Sequence, residues 1–356
     1  MQIGHHHIGR EFAPFVIAEM SGNHNQSLER ALALVEAAAD CGVHAIKLQT
    51  YTADTLTLDI SEGEFFINDP DSIWQGKSLY KLYQEAFTPW EWHAQIMQKA
   101  RELGLICFST PFDETAVDFL ETLNVPAYKI ASFENNHLPL IRKVASTGKP
   151  IILSTGMATL AELDEAITAA RQAGCQNIVL LKCTSTYPAT PENSNVATIP
   201  HMRDLFGCEI GISDHTMGIG VAVAAVALGA TVIEKHFTLR RADGGVDSAF
   251  SLEPEEMSSL VKEVERARLA LGKIQYGPSE TEVKSLLFKR SLYITQDMQV
   301  GECLSSETLK CIRPGLGLSP KYYEMVLGCP LQEKVKKGTP LQWTHVLSHG
   351  DQCLKS

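Results

Sequence analysis

Eight short apolar runs recur along the chain: FVIAEM from residue 15, AIKLQT from 45, LICFST from 105, AYKIAS from 127, PIILST from 150, NIVLLKCT from 177, CEIGISDH from 208 and VIEKHF from 232. Each has the length and β-branched content of a strand buried on both faces. Between them lie segments with helical spacing, such as LERALALVEAAADCG and LAELDEAITAARQAG, several closed by the glycine that commonly stops a helix. Eight such alternations predict a closed (β/α)8 barrel, with a doubly wound open sheet as the competing arrangement.

The strand ends favour the barrel. Nearly every run finishes in polar or ionisable residues: Glu19, Lys47 and Gln49, Ser109 and Thr110, Ser132 and Glu134, Ser154 and Thr155, Thr184, Asp214 and His215, then His236. A barrel gathers all eight C-terminal strand ends at one mouth, where its active sites are built. The alternative is that strand ends are polar because the chain turns there. One connection is long: Tyr51 to Phe87 is rich in aromatic and polar residues and reads as a lid or substrate wall, with Trp74, Tyr80 and Tyr83 available to stack on a sugar or to pack on the rim.

A Gly-Pro break at Gly277 and Pro278 follows the last barrel helix, and the texture then changes to short strands rich in Gly and Pro. The expected organisation is a barrel over 1–280, a linker over 281–290 and a small β-rich domain over 291–356. The net charge of −11 argues against a nucleic-acid partner, which calls for clustered Lys and Arg. Residues from 286 onward nevertheless carry +3 and the rest −14, so tail and body can attract each other within one chain or between two. No apolar run approaches the roughly 20 residues that span a bilayer, and no basic-then-apolar leader opens the sequence. A cytoplasmic location is expected. The nine cysteines are scattered, without a C-x-x-C pair, and read as reduced and mostly buried. His5 to His7 read as a solvated hairpin turn.

His215 and His236 end neighbouring strands, so they meet at the mouth either as hydrogen-bonded core residues or as ligands of an exchangeable divalent metal. Lys47, Thr110, Lys129, Ser132, Ser154 and Ser213 offer cations and hydroxyls suited to a small phosphorylated metabolite, and no glycine-rich nucleotide loop is present. The lysines could equally belong to structural ion pairs. Lys47, Lys129 and Lys235 also leave a Schiff-base aldolase open.

The segments IAEMSGNHN, IKLQT, FSTPFD, YKIASFE, ILSTGMAT, CTSTYPA, GISDHT, GGVDSAFSLEP and IRPGLG run in order through nearly the whole chain. Together they resemble the sialic acid synthase family, and the long connection with SGNHN and GGVDSAFSLEP is more similar to its pseudaminic acid synthase branch. The resemblance implies a barrel followed by an antifreeze-like (SAF) β-clip domain. It implies a transferase reaction in which C3 of phosphoenolpyruvate attacks the open-chain aldehyde of 2,4-diacetamido-2,4,6-trideoxy-altropyranose, water adds at C2, and phosphate leaves. Under it, His215 and His236 would hold Mn2+, or Mg2+ or Co2+, and Glu19 would act as acid/base. Lys47, Thr110, Lys129, Ser132, Ser154 and Ser213 match positions that bind phosphoenolpyruvate, while Glu134, Tyr187 and Asp247 match positions facing the sugar. Ser185 stands where the neuraminic branch can carry Asn, which puts one phosphate contact in doubt. Arg313 matches an arginine that one subunit's tail places in the other subunit's barrel mouth, so the resemblance implies a domain-swapped homodimer. Legionaminic or N-acetylneuraminic acid synthesis, a metal-free aldolase and a carbohydrate-binding protein built on the tail are the competing expectations.

Overall fold

The computed structural model describes residues 1–346; the last ten residues of the expected C-terminal domain, Cys353 among them, lie outside the described residues. The chain divides into two compact units, Met1–Gly272 and Lys273–Ser356.

In the first unit, a hairpin of β1 (Gln2–Ile3) and β2 (His6–His7) precedes eight parallel strands: β3 (Phe15–Glu19), β4 (Ala45–Thr50), β5 (Ile106–Pro111), β6 (Tyr128–Ile130), β7 (Ile151–Ser154), β8 (Ile178–Cys183), β9 (Glu209–Ser213) and β10 (Val232–His236). They close into a barrel in chain order, β10 pairing with both β9 and β3. His5 and His7 are exposed in and beside the hairpin turn, while Ile3 and Ile8 enter the barrel floor.

The two-residue period of a strand sorts side chains between two cores. Phe15, Ile17, Ala45, Ile106, Phe108, Ala127, Ile152, Val179, Leu181 and Val232 point inward and fill the lower barrel. Their outward neighbours Val16, Ala18, Ile46, Leu48, Leu153 and Leu180 pack under the helices. Helix Leu28–Asp40 shows why these helices form: the Ser27 hydroxyl caps the Arg30 N–H, and Ala31, Leu34, Val35 and Ala38 make one buried stripe. Helix Leu160–Gln172 starts on a Thr159/Glu162 capping box. Gly174 follows it at φ 106°, where a side chain would be strained. Among the described residues no helix is long and apolar enough to cross a membrane.

In the second unit a 3-10 segment, Glu280–Phe288, leads into the antiparallel pair β11 (Ser291–Ile294) and β12 (Leu309–Ile312). Further bridges, Met298 to Val335, Cys303 to Pro330 and Leu331 to Val346, fold this unit around Leu292, Ile294, Leu309, Leu331 and Leu341. Six of the eight described cysteines are buried.

Candidate active site

Strand parity carries straight into the site. Above the apolar floor, the inward positions at the strand ends are Glu19, Lys47, Thr110, Lys129, Ser154, Cys183, Ser213, Glu234 and His236, all but His236 buried. Most of them line one cavity of about 430 Å3 at the barrel mouth. Of the residues singled out from the sequence, Glu19, Lys47, Lys129, Ser132, Glu134, Ser154, Tyr187, Ser213, His215, His236 and Asp247 line it. Thr110 stands just behind, accepting from Lys47 Nζ at 3.0 Å. Trp74 and Tyr83 reach the cavity, whereas the Tyr80 hydroxyl bonds Asp54 instead.

At the floor, two ammonium groups and two carboxylates interlock. Lys47 pairs with Glu19 and lies 3.8 Å from Glu234; Lys129 lies 3.9 Å from Glu234. Gln49 donates to Glu19 Oε1 at 3.0 Å, Ser213 to Glu234 Oε1 at 2.8 Å, and Lys129 to Ser154 Oγ at 2.6 Å. The two carboxylates are driven apart. Burial alone would raise Glu234, but Lys129, Lys47 and the Ser213 hydroxyl hold it ionised. In Glu19 burial wins over Lys47, and its carboxyl is pushed up. Burial depresses Lys129, while Glu19 and Glu234 overcome the same effect at Lys47.

Beside the lysines a nest of hydroxyls surrounds backbone. A Cβ on Gly156 would fall 2.1 Å from Ser185 Oγ and 2.6 Å from Ser132 Oγ, so only glycine leaves room for the two hydroxyls here. Lys129 and Ser132 leave the same strand, which turns through the 3-10 segment Ser132–Glu134 and carries Glu134 into the cavity. Burial pushes Glu134 up to about 7, and one of its oxygens has no hydrogen-bond partner.

Opposite lie the two imidazoles, with ring centroids 5.3 Å apart. His215 bonds the Thr184 carbonyl through Nδ1 at 3.0 Å. His236 Nδ1 is buried without a hydrogen bond, 3.7 Å from Asp247 Oδ2. Burial, then Glu19, raises Asp247 to about 7. The Asp247 loop is stapled from two sides. Ser21 bonds the Asp247 carboxylate, Arg30 meets Asp243 at 2.9 Å, and the Trp74 indole donates to the Val246 carbonyl at 2.9 Å. Tyr187 packs between Trp74 and His215 in tilted contacts, with ring centroids 5.7 and 4.6 Å apart.

Two of the inward strand-end residues that line the cavity were given no role from sequence. Glu234 sits two residues before His236 on one strand, and that inward spacing was the available signal. Cys183, read as a buried small residue, lines the cavity 3.9 Å from His215 Nδ1. Lys235, a Schiff-base candidate, has the opposite parity. It points away from the interior and pairs with Asp214 at 3.1 Å. Arg313 belongs to the second unit, exposed directly after β12.

Residues 34–276 match the model of the NeuB family and residues 289–347 that of the SAF domain. The chain belongs to the NeuB family. It is 43% identical to the pseudaminic acid synthase of Campylobacter jejuni subsp. jejuni serotype O:2, over 96% of this chain and 98% of that protein. It is 37% identical to the N,N'-diacetyllegionaminic acid synthase of Legionella pneumophila, over 95% and 96%. Among solved structures, the N-acetylneuraminic acid (sialic acid) synthetase of Leptospira borgpetersenii superposes with a TM-score of 0.72 at 30% identity, covering 80% of this chain and 94% of that one.

Proposed function

We propose that this chain is a pseudaminic acid synthase, condensing phosphoenolpyruvate with 2,4-diacetamido-2,4,6-trideoxy-altropyranose to give pseudaminic acid and phosphate. One observation carries the reading. A single cavity holds two lysines and a hydroxyl nest on one side and a His215, His236 and Asp247 cluster on the other, in a chain 43% identical to a pseudaminic acid synthase.

The lysines and hydroxyls suit the phosphate and carboxylate of phosphoenolpyruvate. Lys47 with Thr110, and Lys129 with Ser132, Ser154 and Ser213, compensate its charge without a nucleotide-type loop. C3 then attacks the aldehyde carbon, the aldehyde oxygen takes up a proton, water adds at C2, and the C2–O bond breaks to release phosphate. Glu19, pushed up by burial and held by Lys47 and Gln49, is the group placed to move protons at the condensing carbons. Glu134, Tyr187 and Asp247 face the sugar.

The donor set fits a divalent ion. His215 commits only Nδ1 to a carbonyl, and His236 presents a buried, unbonded Nδ1. His215 and His236 would hold Mn2+, or Mg2+ or Co2+. Among the described residues no group of three His, Cys, Asp or Glu has ligand geometry, so water and substrate would complete the shell. Such an ion supplies Lewis acidity toward the aldehyde oxygen.

The active form in this reading is a cytoplasmic, domain-swapped homodimer, with Arg313 of each chain serving the barrel mouth of the other. Two observations support it. Ile274 and Tyr276, large apolar residues, are 93% and 95% exposed, and the tail and body carry opposite charge. The test is mass spectrometry of the product formed from phosphoenolpyruvate, Mn2+ and a panel of acetamido hexoses. Pseudaminic acid supports the reading, a legionaminic or neuraminic product replaces the sugar, and absence of phosphate release rejects the reaction.

A further inference from the structure

The cavity has two unlike halves. Its charged and hydroxylic lining comes from the barrel strands and the loops that follow them, whereas the segment between Tyr51 and Phe87 contributes Leu56, Ile67, Trp74, Leu79, Leu82 and Ala86. That segment is not apolar overall. It contains nine Asp, Glu and Lys residues, none of which lines the cavity; eight of them are exposed to solvent. The remaining polar tips on this wall are the phenols of Tyr51 and Tyr83, since the Trp74 indole N–H is committed to the Val246 carbonyl. A solvated loop of this composition that turns only uncharged side chains inward forms a selective surface rather than a passive cover.

We infer that this wall determines sugar specificity, recognising the deoxygenated and acylated side of the substrate through its methyl groups. The inference rests on the proposed reaction, with the enol phosphate on the lysine side of the cavity. A hydroxyl placed against Leu56 and Ile67 loses water and meets no donor or acceptor on those side chains, whereas a methyl group gains by being buried there. An apolar pocket rejects an added hydroxyl by about 10- to 100-fold.

The test compares kcat/KM for two matched sugars, 2,4-diacetamido-2,4,6-trideoxy-altrose and its counterpart with a hydroxyl on C6, in the full-length protein and in Leu56→Asn, Ile67→Asn and Leu56→Met. Leu56 and Ile67 are half-buried and lie outside the barrel cores, so the fold should survive; the melting temperature and the KM for phosphoenolpyruvate check this. The unsubstituted protein should prefer the deoxy sugar at least tenfold. Each Asn variant should cut that preference at least fivefold, and Leu56→Met should keep it. Turnover of both sugars within threefold of each other, or a preference untouched by both Asn substitutions, overturns this inference while leaving the proposed reaction standing. Failure of either sugar to drive phosphate release overturns both.

Discussion

Replacing Lys129 by Met tests the proposed phosphate side of the cavity directly, because Met keeps much of the stem and removes the ammonium. Lys129 is 1% exposed, donates to Ser154 Oγ at 2.6 Å and lies 3.9 Å from Glu234. At that separation and an effective dielectric of about 20, a pair of unit charges is worth roughly 4 kcal/mol. A phosphate oxygen seated at similar range gains a comparable amount, and desolvation offsets up to half of it, leaving about 2 to 4 kcal/mol. The KM for phosphoenolpyruvate should therefore rise by about 30- to 1000-fold. The fold should tolerate the change. Glu234 keeps Lys47 at 3.8 Å and the Ser213 hydroxyl at 2.8 Å, and the desolvation cost of one buried ammonium disappears. Steady-state phosphate release at saturating sugar gives the KM, and the shift in melting temperature produced by phosphoenolpyruvate gives binding independently of turnover. A KM within threefold of the unsubstituted protein, with the same ligand-induced shift, would show that the phosphate sits elsewhere.

EDTA should abolish phosphate release and Mn2+ restore it, while borohydride with substrate leaves activity intact; His236→Ala should lose the metal response with little change in melting, and retained turnover in that variant rejects the metal role. Glu134 provides a pH test on the free protein: with its folded value at about 7 against an ordinary 4.5, the folded state holds the extra proton, so stability is full below 4.5 and is lost as pH rises through 7. Glu134→Gln should thus be matched to the original in urea unfolding near pH 4.5 and more stable by up to about 3 kcal/mol at pH 8; a constant difference across that range would refute the shift. Mixing full-length Glu19→Ala with full-length Arg313→Ala should regain activity that neither has alone, because a mixed dimer rebuilds one site with both residues; no recovery in demonstrated heterodimers rejects the cross-subunit role. Trp74 separates the cavity from a neighbouring pocket of about 450 Å3, so Trp74→Ala should raise relative activity on sugars with longer N-acyl chains, as read from competition assays.

The barrel was legible because buried parallel strands advertise themselves as continuous apolar runs, and because closure forces every strand end to the same mouth. Within a run, however, the same continuity hides which side chains face inward. Lys235 and Glu234 are adjacent in VIEKHF and differ in side; the inward position of His236 fixes the parity, and applying it would have exchanged Lys235 for Glu234 among the candidates. The loops obey no such period. That Ser21 would hold Asp247, or Trp74 the Val246 carbonyl, depends on contacts spanning well over a hundred residues, which local propensity does not encode. The insertion is the instructive case. Its aromatics suggested a lid or substrate wall, and Trp74 and Tyr83 do line the cavity, while eight of its nine charged residues face solvent and none lines it, a sorting that composition does not specify. A charged floor fixed by strand parity can stay the same while such a wall is exchanged loop by loop. On the inference drawn for the wall, this is a physical route by which one family can keep a single condensation and accept different sugars.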